Sequence, residues 1–142
     1  MEEASSRLLL WASRYPVLSQ ASRLAASGLR YPGDLTNLAQ VREVVATFAG
    51  PTLLLHGHLH TWTVDHTGRA LQIGVPTVVE WPHAWADASI TLDDAAVRVE
   101  VTMRPVSGTW SRPGIDTVPD APFQAWTFRD DWIRAGDAVR PT

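Results

Sequence analysis

Residues 52–60 read Thr52-Leu53-Leu54-Leu55-His56-Gly57-His58-Leu59-His60. The run from Thr52 to His56 is short and apolar without alternation, the pattern of a strand buried on both faces. It follows directly on the clearest helix of the chain, predicted over Leu38 to Ala49. Leu38, Val41, Val45 and Phe48 recur there at helical spacing and make one apolar stripe. Thr36 or Asn37 is placed to cap its first turn, and Gly50-Pro51 stops it with glycine just past the end. Upstream, Leu8 to Ala12 is a second short apolar run that also reads as a strand buried on both faces, ended by Ser13-Arg14-Tyr15-Pro16. Strand, helix and strand in that order predict a right-handed crossover with the two strands parallel. Residues 17 to 36, broken by Gly28, Pro32 and Gly33, read as a loop with one helical turn around Gln20 to Ala26.

After His60 the pattern changes. Thr61–Asp65, Arg69–Ile73, Thr77–Glu80, Ala88–Leu92 and Val97–Met103 are short runs with partial alternation, which predict an antiparallel meander. His66-Thr67-Gly68 and Asp93-Asp94-Ala95 are turn sequences between them. Beyond Arg104 the prolines Pro105, Pro113, Pro119 and Pro122 leave little periodicity. An irregular tail is expected, packed onto the rest through Trp110, Trp126 and Trp132. Two segments result: 1–104, and an extension over 105–142. The fold class is α/β (α+β).

The bulk numbers narrow the chemistry. At 142 residues the chain can bury a real core, and 45% hydrophobic with 19% charged residues is ordinary for a globular protein. A net charge of -3 gives no nucleic-acid-binding signature. With no cysteine, disulfides, thiolate zinc sites and a cysteine nucleophile are excluded. The acidic start Met1-Glu2-Glu3 is unlike a signal peptide and no apolar run is long enough for a membrane span, so a cytoplasmic location is expected.

The chemistry concentrates at Gly57-His58-Leu59-His60. Two histidines at i and i+2 of an extended chain point to one side, with Leu59 turned toward the core. Imidazole is a common ligand of transition metals, and Gly57 lets the backbone turn sharply. The motif also sits at the carboxyl end of a buried strand, where open α/β sheets place ligands.

This arrangement resembles the calcineurin-like metallophosphoesterases, in which a helix and a buried strand lead into a Gly-His-x-His motif. The resemblance covers roughly Leu8 to Met103 and implies the C-terminal half of an αββα sandwich. It implies His58 and His60 as ligands in a dinuclear centre of divalent metal ions (Mn, Fe, Zn or similar) and a phosphoester as substrate. Leu71-Gln72-Ile73-Gly74 through Glu80-Trp81-Pro82 is similar to the region that follows the motif in the family. Two departures stand out. Arg14 occupies the position of a further metal-binding histidine; a guanidinium has no lone pair for a cation but pairs bidentately with phosphate. The family's earlier motifs (Asp-x-His, Gly-Asp-x-x-Asp, Gly-Asn-His-Asp/Glu) do not occur. Gly33-Asp34 and Gly136-Asp137 do not follow a strand in the required order.

Three readings stay open: part of a phosphoesterase completed by an N-terminal half, a degenerate interaction module, and a simple metal-binding domain. Incomplete strands would call for a partner chain or a dimer contact. His56 is a candidate core or supporting residue, and His83 a candidate pocket residue beside Trp81 and Trp85. Asp65 and Glu80 are candidate carboxylates behind the histidines, and His66 is expected in solvent.

Overall fold

The structure is a computed structural model that describes residues 8–21, 33–79, 83–106 and 123–135. It is a mixed α+β fold of one described helix and two four-stranded sheets. The first sheet contains β1 (Leu9–Ser13), β2 (Thr52–His56), β3 (Thr63–Thr67) and β4 (Ala70–Gly74), in the order β1-β2-β4-β3. The helix α1 spans Leu38–Thr47. The second sheet is β5 (Ala84–Leu92), β6 (Val97–Pro105), β7 (Phe123–Phe128) and β8 (Trp132–Ala135), all antiparallel in sequential order.

β1 and β2 are parallel, with Leu9 opposite Thr52 and Ser13 opposite His56. The segment after His60 is not a single meander, because β4 lies parallel to β2 while β3 pairs antiparallel with β4. The chain runs back along β3, turns at Gly68-Arg69, and inserts β4 between β2 and β3. Gly68, at φ 50°, takes the left-handed position of that turn.

The faces of the first sheet divide by alternation. Leu53, Leu71 and Ile73 meet Val97, Val99, Val101, Trp126, Phe128 and Trp132 of the second sheet in the larger core. On the opposite face Leu54 and Ala70 pack with Val41 of α1 and Val17 of the loop after β1. The layers are therefore helix, sheet and sheet. The outer face of the second sheet is mixed: Asp87 and Ser89 stand opposite Thr102 and Glu100, Arg98 bridges Glu100 at 2.9 Å, and Trp85 and Ile133 lie exposed among them.

Several expectations need correction. α1 ends at Thr47, with Phe48 already extended, and its N-cap Asn37 makes no side-chain capping bond. β1 is not buried on both faces; as an edge strand among the described residues it alternates, and Leu10 is 52% exposed. Thr77–Val79 is not a strand, whereas β5 begins earlier than expected, at Ala84. The tail is not irregular where it is described. Trp126 and Phe128 share the apolar face of β7, and the buried Trp132 indole donates to the Arg69 carbonyl at 2.8 Å. Large aromatics at two-residue spacing carry β7 and β8 despite the prolines in this part of the sequence, and Pro105 is itself the last residue of β6. The helical turn over 22–26, Glu80, Trp81, Trp110 and Gly136-Asp137 lie outside the described residues. No helix among those described is long and apolar enough to cross a membrane.

One buried amide holds the loop after β1. Gln72 is 1% exposed; its Oε1 accepts from the Val17 and Leu18 N–H groups at 2.7 and 2.6 Å, and its Nε2 donates to the Leu18 carbonyl at 2.9 Å. Gln72→Leu keeps the volume but strands the Val17 and Leu18 N–H groups, while the Leu18 carbonyl keeps a longer bond from Gln20 Nε2 at 3.4 Å. We expect it to lower unfolding stability by about 3 kcal/mol, read as a reduced urea midpoint at unchanged slope.

Candidate functional site

β1 and β2 deliver their following residues to the same end of the sheet: Arg14 and Tyr15 from one, Gly57 to His60 from the other. The motif is not extended. His58 has φ 63° and His60 φ 53°, both left-handed, a region that non-glycine residues enter rarely. The Leu59 N–H donates to the Gly57 carbonyl at 2.7 Å, closing a tight three-residue turn about His58. With positive φ at its centre, this is the rarer, strained kind of γ-turn. Gly57 itself needs no special conformation, and a Cβ there would meet nothing within 4 Å. The reversal expected of the glycine is made by the histidines, and Leu59 is only half-buried.

His56 does not join them. It is 3% exposed and lies across from Gly74. Its Nδ1 donates to the Gly57 carbonyl at 2.9 Å, which leaves Nε2 to accept from the Thr63 hydroxyl at 3.4 Å. A Cβ on Gly74 would sit 2.6 Å from the ring's Cε1 and 2.3 Å from Thr63 Oγ1. A glycine is therefore required opposite His56. Burial lowers the His56 pKa below 6.5, against smaller opposing effects of the Gly57 carbonyl and Asp65. Asp65 accepts from Gln20 at 2.6 Å, so its charge bears on His56 from within the helix-facing layer.

His58 is held by its neighbour from β1. The Tyr15 ring lies 4.2 Å from the imidazole, centroid to centroid, at 51°, and the Arg14 guanidinium is 5.8 Å from the Tyr15 ring centroid. Ser13 Oγ donates to the Tyr15 carbonyl at 2.6 Å and shapes this turn. His58 Nε2 is shielded from water and has no hydrogen-bond partner. Burial, then the Arg14 charge, then His60 push the His58 pKa below 6.5. A neutral imidazole with an uncommitted nitrogen is the form that ligates metal.

The structure thus brings Arg14, His58 and the His60 backbone to one strand end. His83 sits apart in the loop before β5, at φ 50° and exposed, with Nδ1 3.3 Å from the Val78 carbonyl. His66 is exposed on β3. Sequence reasoning missed Tyr15, although it adjoins Arg14, and Gln72, an amide inside an apolar run. His58 suits a metal ligand by its orphaned nitrogen. Two imidazoles alone do not form a dinuclear centre, which needs bridging carboxylates. Among the described residues no group of three or more His, Cys, Asp or Glu side chains is assembled to hold an ion.

Two measurements follow from this geometry. The left-handed backbone at His60 favours glycine over any residue with a Cβ, so His60→Gly should be more stable than His60→Ala by about 1 kcal/mol in urea unfolding. The second concerns pH. Both His56 and His58 have folded pKa values below 6.5. The unfolded chain takes up these protons first as pH falls, so their contribution is full above 6.5 and shrinks below it. The urea midpoint should drop between pH 7.5 and pH 5.5, and the drop should be smaller in His56→Gln. The chain matches no protein-family model, no curated protein and no solved structure.

Proposed function

We propose that the chain is the C-terminal portion of a metal-dependent phosphoesterase of the calcineurin-like kind, contributing His58 and His60 to a dinuclear centre. One observation carries this reading. Two histidines in strained left-handed backbone stand at the carboxyl end of a parallel strand pair, one with a buried ring nitrogen that nothing else satisfies. Strain of this sort, of order 1–3 kcal/mol per residue, persists where surrounding structure enforces it and clusters at functional sites.

Within this reading each residue has a role. His58 and His60 would supply the nitrogen ligands. Tyr15 positions the His58 ring by stacking, and Arg14, at the same strand end, contacts a substrate phosphoryl oxygen through its guanidinium. Divalent ions held there by His58 and His60 would supply an activated water and charge stabilisation at the phosphoryl group. The carboxylates that hold them apart come from polypeptide outside these 142 residues, and the chain alone is inactive.

Titration with Mn²⁺ and assay against a generic phosphodiester test this. The chain alone should bind Mn²⁺ weakly, lose that binding in His58→Ala, and show no turnover. Turnover abolished by His58→Ala would overturn the claim that essential ligands lie elsewhere. Tight binding of a single ion would instead favour a simple metal-binding domain. Asp-x-His, Gly-Asp-x-x-Asp and Gly-Asn-His motifs encoded in the DNA preceding Met1 would supply the missing ligands.

A further inference from the structure

A cleft of about 470 Å³ lies at the other end of the first sheet from the histidines. It opens between the loop after β1, the C-terminal half of α1, and Thr52 and Ala70, which begin β2 and β4. The length of β2, about 13 Å from Thr52 to His56, separates it from the histidine end. Its volume is in the range of small-molecule sites.

The walls are of two kinds. Val17, Leu18, Val45 and Phe48 give it an apolar side, while Arg42 from α1 and Arg69 from the β3–β4 turn bring two permanent positive charges. Each guanidinium is fixed by a backbone carbonyl: Arg42 Nε donates to Val17 O at 2.7 Å, and Arg69 donates to Ala49 O. A carbonyl orients a guanidinium without neutralising it. The contrast is with Arg98 and Arg104, which face Glu100 and Asp87. No carboxylate is among the described residues that line this cleft, although Arg69 also borders a neighbouring one that holds Asp93, Asp94 and Asp130. Each anchored guanidinium retains further N–H donors in a planar fork that matches an oxyanion.

We infer that this cleft binds a small amphipathic oxyanion, a carboxylate or phosphate ester bearing a short apolar chain. The anionic head engages Arg42 and Arg69, and the chain lies against Val17, Leu18 and Phe48. Because both arginines are already anchored, binding costs little further side-chain ordering. This inference is independent of the phosphoesterase reading and survives its failure.

The test is an NMR titration of the isotope-labelled chain with hexanoate, hexyl phosphate and hexanol. The two anions should give saturable shifts confined to the amides around the cleft, and hexanol at the same concentration none. Their relative affinities tell a carboxylate site from a phosphate site. Arg42→Gln and Arg69→Gln should each weaken anion binding about tenfold, the size of one lost charge-assisted contact. Shifts that do not saturate, or an equal response to hexanol, would overturn the inference. So would unchanged affinity in both variants. The comparison of anion with alcohol uses the unaltered chain and does not depend on how the variants fold.

Discussion

The loop after β1 crosses the helix-facing side of the first sheet, where its backbone is cut off from water, and Gln72 makes that crossing tolerable. Buried backbone polar groups need partners, and each one at Val17 and Leu18 has one. Gln72 accepts from both N–H groups and donates to the Leu18 carbonyl, while Arg42 donates to the Val17 carbonyl. The loop is therefore clamped between β4 and α1. Its near end, Tyr15, is left at the carboxyl edge of the sheet, against His58. Both the stacking of the His58 ring and one wall of the arginine cleft descend from the same buried amide.

At the strand ends the strain has a matching set of restraints. The Gly57 carbonyl accepts from the Leu59 N–H and from His56 Nδ1, and the His56 carbonyl accepts from the Val75 N–H at 2.9 Å. His56 reaches its place only because Gly74 offers no Cβ to obstruct the ring. The buried histidine thus braces the turn that presents the other two. This division of labour separates a structural imidazole, satisfied at both nitrogens, from one whose Nε2 is left without a partner.

Legibility in the sequence follows the range of the interactions. β2 is legible residue for residue, because a run of three leucines bounded by proline and glycine leaves little choice. Its parallel pairing with β1 follows from chain order alone. The docking of β4 beside β2 is not legible: the local pattern fixes a hairpin with β3 and says nothing of which strand lies on its other side. β7 and β8 escaped notice because prolines dominate the composition around them, while Trp126, Phe128 and Trp132 acquire meaning only against the first sheet. At the site, His58 and His60 are legible as a pair, but their left-handed backbone is not, since a His-x-His spacing reads equally well as extended chain and nothing in it announces the turn closed between Leu59 and Gly57. Arg14 is legible through a spacing, Tyr15 only through the ring it touches.

The two sheets are finished to different degrees. The second sheet resolves its outer face by alternation, so Asp87, Glu100 and Thr102 meet water there. On the first sheet, β3 closes one side with a short strand whose far residues, His66 and Thr67, are exposed. β1 does not end the sheet in the same way. Leu10 faces the side on which Leu53 and Leu71 are wholly buried, yet it stays 52% exposed at the edge of the sheet. An edge strand presents a row of unpaired N–H and C=O groups that a further strand can pair with. That edge also adjoins Arg14 and Tyr15, so a strand added beside β1 would deliver its own following residues next to His58.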